Sequence, residues 1–220
     1  MSLSIPRAVL FVAALAPAMP VIAGLGRLRG LPAPWRGFVG FLALALTLNI
    51  SMMTLGLRGI PNAAFAHLTL PIYCGAGLIV LGELARDHRW ARGFRGAALL
   101  YVVAWLVITV VAGVTRDYSL VAKPLMHLLM TGGGAVLIVV RLGQLATRPL
   151  RDPAVMVGLG VLLVHAPTAV LDPVAAVVAL SDRDLARTLY RATSVFSIVA
   201  MTPYTLALLW IPRRPSSSGS

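Results

Sequence analysis

The stretch AVMVGLGVLLVHAPTAVL, residues 154–171, decides the fold class. Its 18 residues hold no formal charge, and a helix of about that length crosses the hydrocarbon layer of a bilayer. Six more runs of this kind lie at 8–25, 38–57, 63–84, 97–114, 120–140 and 192–211, each of 18 to 22 residues. They lack the period-two alternation of barrel strands, so helices must satisfy their backbone in lipid. The predicted fold is all-α: a polytopic membrane protein with a seven-transmembrane-helix bundle. Residues 1–212 form its single domain, and 213–220 a disordered cytoplasmic tail.

Composition agrees, and it excludes a soluble domain. Of the residues 59% are hydrophobic and 12% charged, with a mean hydropathy of +0.88. The net charge of +12 invites a nucleic-acid reading, which its distribution rejects. With the N-terminus outside, 12 arginines fall at inner connections and the C-terminal tail, among them Arg86, Arg89, Arg92, Arg141, Arg213 and Arg214. Seven basic residues, including Arg7, Arg58, Arg116 and Arg191, fall outside. Acidic residues widen the difference to +9 inside against +3 outside. The positive-inside rule thus predicts N-out, C-in. Those arginines suit the lipid bilayer's anionic headgroups, or a protein partner on the inner side, and no nucleic acid is expected. A chain rich in Arg, Ala and Gly with one lysine points to a GC-rich genome and a bacterial cytoplasmic membrane.

Ala16-Pro17-Ala18 has the look of a signal-peptide cleavage site. Cleavage there would reverse every later connection and the charge bias with it, so the first helix is expected to stay. The lone Cys74 excludes an intrachain disulfide and a cysteine-based metal site.

Connections are expected to be short, mostly 5 to 15 residues, with residues 86–92 the longest basic loop and Trp90 in the headgroup layer. Pro167 and Pro173 interrupt the sixth run. Asp172-Pro173 reads as a helix N-cap with a first-turn proline, after which 174–180 either extends the sixth helix or lies along the interface. Ser181 with Asp184 resembles a capping box opening the last helix near Asp182. The triplet Gly132-Gly133-Gly134, and Gly75 with Gly77, suggest close helix packing. Met52, Met53, Met126 and Met130 read as core filler, and Asn49, Ser51 and Thr54 as interhelical hydrogen-bonding groups.

Ionisable groups inside membrane helices are costly and therefore mark candidate sites. His67 lies one turn into the third helix, and Lys123 and His127 share one face of the fifth. His165, Thr168 and Asp172 form a stripe on the sixth, and Arg191 opens the seventh. All belong to the predicted outer half. Together they read as an outward-facing polar pocket, with Asp172 paired to Lys123 or Arg191 and the three histidines available to a ligand, a proton or a metal; the sequence leaves open whether they converge. The bland alternative is that each group snorkels or bonds a carbonyl freed by a nearby proline. No HxxxH or HExxH spacing, GxSxG motif, phosphate loop or carboxylate pair within one helix occurs, so the sequence names no catalytic residue and no cofactor.

Topology and size resemble the microbial rhodopsins, but no lysine lies between 192 and 211 to hold retinal. Pro17, Pro20 and Lys123-Pro124 loosely resemble the kinked helices of SWEET and PQ-loop carriers, without their Pro-Gln dipeptide. Gly59-Ile60-Pro61-Asn62, followed by His67 and Pro71, resembles a family of functionally uncharacterised bacterial seven-helix membrane proteins. That resemblance implies the fold and no activity. Its expected glutamate is replaced by Tyr73-Cys74. The functional expectation is a non-enzymatic ligand-binding or sensory membrane protein. The alternatives are a small SWEET-like solute carrier and a haem- or metal-binding component.

Overall fold

A computed structural model of the chain describes residues 7–112, 119–145 and 149–212. Arg116, Asp117, Arg148, Arg213, Arg214 and the 213–220 tail lie outside the described residues, as does the side chain of Arg7. The described elements are α1 (Arg7–Leu15), α2 (Ala18–Leu25), α3 (Ala33–Leu57), α4 (Ala63–Ala85), α5 (His88–Ala112), α6 (Ser119–Gln144), α7 (Pro153–Val178) and α8 (Arg183–Trp210). With α1 and α2 counted as one crossing, seven helices are long and apolar enough to span a membrane. Their outer faces carry exposed Ile22, Leu57, Leu68, Val110, Val139, Val170 and Leu209, a surface that water would not tolerate on this scale. The architecture is that of a multi-pass membrane protein.

Several helices are longer than the apolar runs, because capping rather than hydropathy sets their ends. The first crossing breaks at Ala16-Pro17 into two helices, since proline has no N–H to continue the ladder. Residues 86–92 are not a loop. Arg86 ends α4 with a left-handed backbone at φ 55°. The Asp87 carboxylate then accepts from the Arg89 N–H at 2.7 Å, and α5 begins at His88. The connections are correspondingly shorter than expected.

The reading of Asp172 as an N-cap is likewise corrected. It sits inside α7, which runs through Pro167 and Pro173 to Val178, so most of 174–180 extends that helix. The true caps are Asp152 for α7 and Asp182, not Ser181, for α8; each accepts hydrogen bonds from two backbone N–H groups beyond it. Thr54 bonds the Ile50 carbonyl of its own helix at 2.8 Å rather than reaching across to another.

The first crossing packs on α3 and α8, α3 on α4, α4 on α6, α6 on α7 and α7 on α8, which closes a ring. α5 lies outside it, against α4 and α6. At the end of the bundle holding Arg86 an aromatic cluster stands across the ring, beside a cavity of about 480 Å³ lined by Trp35, Arg86, Arg141 and Asp152 and one of about 390 Å³ around Arg27 and Arg29. Trp35 meets Phe38 edge-on at 6.0 Å, and Phe38 meets Tyr204 at 5.4 Å. The Tyr204 ring lies against Gly160, where a Cβ would come within 2.3 Å of it.

A close crossing joins α6 to α7 at Gly134 and Gly158, each facing the other's carbonyl. A Cβ on Gly158 would stand 2.6 Å from Ile138 and 3.0 Å from the Gly134 carbonyl oxygen. Gly158→Val is therefore expected to destabilise the bundle by about 1–3 kcal/mol, as overpacking does. Thermal unfolding in detergent measures this, with Gly132→Ala as a near-neutral control, since nothing lies within 4 Å of a Cβ there.

Candidate functional site

Lys123 and His127 are four residues apart on α6, and so one turn apart on one face. His165 and Asp172 share the α7 face that meets it. Because α6 and α7 run antiparallel, the chain order reverses across the seam and two polar rungs form. Lys123 Nζ stands 2.5 Å from Asp172 Oδ2, and His127 Nδ1 stands 2.7 Å from His165 Nδ1. Asp172, His127 and His165 are buried, while the Lys123 side chain is 41% exposed. Thr168, between the rungs in sequence, donates to the Val164 carbonyl at 2.6 Å, and Thr131 donates to the His127 carbonyl at 2.7 Å.

The histidine contact constrains protons. Two Nδ1 atoms at this distance share one hydrogen: one ring donates and the other accepts. A second proton on the pair at Nδ1 would force the rings apart. His127 Nε2 is buried without a hydrogen-bond partner among the described residues.

His67 does not join them. It faces α5 instead. Its Nε2 stands 2.8 Å from Thr109 Oγ1, and Thr109 already donates its one hydroxyl hydrogen to the Trp105 carbonyl at 2.7 Å. Thr109 must therefore accept, and His67 carries its proton on Nε2. The His67 ring lies 5.2 Å from the Trp105 ring. Pro71, four residues on, lacks the N–H that would bond the His67 carbonyl. The Trp105 indole N–H supplies that bond at 3.2 Å.

At the end of the bundle holding Ile60, the ring is open. An inner chamber of about 380 Å³ is lined by Phe41, Asn49, His67, Tyr73, Lys123 and Met201, among others. A wider mouth of about 640 Å³ adjoins it, lined by Leu10, Met53, Lys123, Thr168, Arg191 and Ser194 among others. Asn49, Met52, Lys123 and Ser197 belong to both, so the two form one cleft. Four of the candidate residues (His67, Lys123, Thr168 and Arg191) line it. His127, His165 and Asp172 lie behind its wall.

Arg191 does not pair with Asp172, and among the described residues no carboxylate forms an ion pair with it. Tyr73 escaped the sequence reading. Its ring contacts His165 at 6.0 Å and Phe41 at 5.0 Å, joining the chamber wall to the histidine pair.

The opposite end holds a second polar cluster that the sequence reading missed. Arg141 Nη2 stands 2.6 Å from Asp152 Oδ2, with both side chains nearly buried. Arg141 also donates to Gln144 Oε1 at 2.8 Å, and Gln144 donates to the Ala85 carbonyl at 3.3 Å. Burial works against the Asp152 charge, but the Arg141 hydrogen bond, the Val155 and Ala154 N–H groups and the guanidinium charge hold its carboxyl below the usual carboxylate range. Arg27 donates to the carbonyls of Leu208 and Ile211 at the end of α8, pinning the first crossing to the last.

A metal does not fit the histidine pair as it stands. Two nitrogens bound to one metal at about 2.0–2.1 Å are held roughly 3 Å or more apart, and here they touch at 2.7 Å. Among the described residues, no three His, Cys, Asp or Glu side chains are placed to hold a metal ion. A haem between the rings would need more separation still. No family model, curated protein or solved structure matches this chain.

Proposed function

We propose that this chain is a single-domain ligand-binding or sensory protein of a bacterial cytoplasmic membrane, set N-out and C-in, whose cleft opens to the outer side. The observation that carries the reading is the continuous cleft at the Ile60 end, a mouth holding Arg191 that leads into a largely apolar chamber, with the Trp35–Phe38–Tyr204 cluster toward the other end. A carrier also opens to one side at a time, so the single opening is common to both readings. The SWEET-like alternative is weakened by the order of packing. Helix α4 packs on α3, α5 and α6, and its contact with α1 and α2 is slight at most. Apart from α5, which lies outside, the helices therefore follow chain order around the ring.

The seam offers a route from binding to response. A ligand group that draws Lys123 toward the cleft competes with Asp172 for the ammonium. The upper rung then loosens while the histidine pair holds the lower one, and α6 and α7 separate at one end only. A response on the inner side passes to a protein partner at the arginine-bearing connections.

Two measurements test this reading together. In a Cys74→Ala background, Ser197→Cys is expected to react with an impermeant maleimide in intact cells. Native mass spectrometry of the purified protein is expected to show a retained small molecule that Ser197→Trp, by filling the cleft, expels. Labelling only after the inner face is exposed, or spectra without any retained mass in both proteins, would overturn it.

A further inference from the structure

The chemistry of the cleft wall is selective. Lys123 and Arg191 are its cations, and no aspartate or glutamate lines either cavity among the described residues. Lys123 is already neutralised by Asp172, so one positive charge, that of Arg191, stands unbalanced at the mouth. Below it the wall turns apolar, with Phe41, Leu42, Leu70, Met126, Val164 and Met201. From Arg191 to Met201 along α8 the drop is roughly 15 Å, at about 1.5 Å per residue.

One cationic head position above a long apolar chamber matches one kind of molecule. We infer that the cleft takes an amphipathic monoanion: a carboxylate on a single, medium-length apolar chain. A guanidinium presents parallel N–H groups that a carboxylate accepts two at a time. The apolar chamber takes the tail out of water, the usual source of affinity for such a pocket. The carboxylate also lies within the mouth that Lys123 shares, where it competes with Asp172. The inference rests on the ligand-binding reading above and adds the ligand's chemistry to it.

Dodecanoate is the probe, measured by equilibrium dialysis against the full chain in zwitterionic nanodiscs, with empty nanodiscs as blank. Saturable binding of one molecule per chain is expected. Arg191→Gln is expected to weaken it by about 10- to 100-fold, the loss of a charge-assisted hydrogen bond, while Arg191→Lys keeps most of it. Ser197→Trp is expected to abolish it.

Equal binding of dodecyltrimethylammonium would overturn the anion, and equal binding of acetate would overturn the tail. Displacement by phosphatidylglycerol placed in the nanodisc would assign the site to a bilayer lipid headgroup and overturn the single-chain carboxylate. If dodecanoate fails while native spectra still show a mass that Ser197→Trp expels, the ligand class is wrong and the cleft reading stands. If that mass is missing as well, both fall.

Discussion

Asp152→Ala is expected to lower the stability of the purified protein by about 3–5 kcal/mol, the cost of breaking a buried ion pair from one side. The change leaves the Arg141 guanidinium, itself only 10% exposed, without its counter-charge. It also removes the acceptor for the Ala154 and Val155 N–H groups that start α7, a cap worth about 1 kcal/mol on its own. In thermal unfolding this corresponds to a midpoint roughly 10 °C lower. Asp152→Asn keeps an oxygen for the cap and loses the charge, so it should fall between the two.

Acid separates the same contributions. The folded carboxyl is held below its ordinary value, so its stabilisation is complete above the unfolded value of about 3.9. It is lost as the pH falls through the depressed folded value. The native protein should therefore lose stability below about pH 4, where Asp152→Asn should change less. Identical acid profiles for the two would show that the pair contributes nothing.

The distribution of polar groups explains why some features were legible in the sequence and others were not. Hydropathy along the chain marks where a lipid-facing segment must be helical, so the seven long apolar helices were readable from the apolar runs. Helix ends were less so. Residues 86–92 look like a basic loop because five of the seven are ionisable or polar at the membrane edge, yet a helix there costs nothing once Asp87 caps it. Asp172-Pro173 has the chemistry of a cap but serves inside a helix, because Lys123 on the neighbouring helix holds its carboxylate.

Spacing on one helix was visible for Lys123 and His127, whereas the meeting of His127 with His165 depends on how far α6 slides along α7. That register is set by Gly134 facing Gly158, a contact between helices that no single-helix pattern reveals. His67 left the group for the same reason: Thr109 and Trp105, on a helix the polar pattern did not single out, satisfy it instead. Arg141 looked like one more inner arginine, and the aspartate-proline start of α7 was the available sign that it has a partner.

Lys123→Met and Asp172→Asn are expected to differ sharply, although they remove the same ion pair. Asp172 is 7% exposed and Lys123 is 41% exposed. Without Lys123 the carboxylate stays in a nearly dry site with no counter-charge, and the α6–α7 seam must open for it to reach water, at about 3–5 kcal/mol. Without Asp172 the lysine swings into the cleft mouth on its flexible stem, at about 1 kcal/mol or less. The double variant Lys123→Met/Asp172→Leu buries neither charge, and apolar replacement of a buried pair is often neutral or better. It should therefore regain most of what Lys123→Met loses, with a coupling of about 2 kcal/mol or more in a double-mutant cycle of thermal or denaturant unfolding. Equal losses in the two single variants would mean that the pair is effectively solvated. The double variant also separates structure from function. Folded and stable but without the ammonium, it should still bind dodecanoate through Arg191 while failing to loosen the seam on binding. A probe pair on Val121 and Val174, both exposed, would detect that as a lost distance change. If the distance change persists without the pair, the competition between ligand and Asp172 for Lys123 is not how binding reaches α6 and α7.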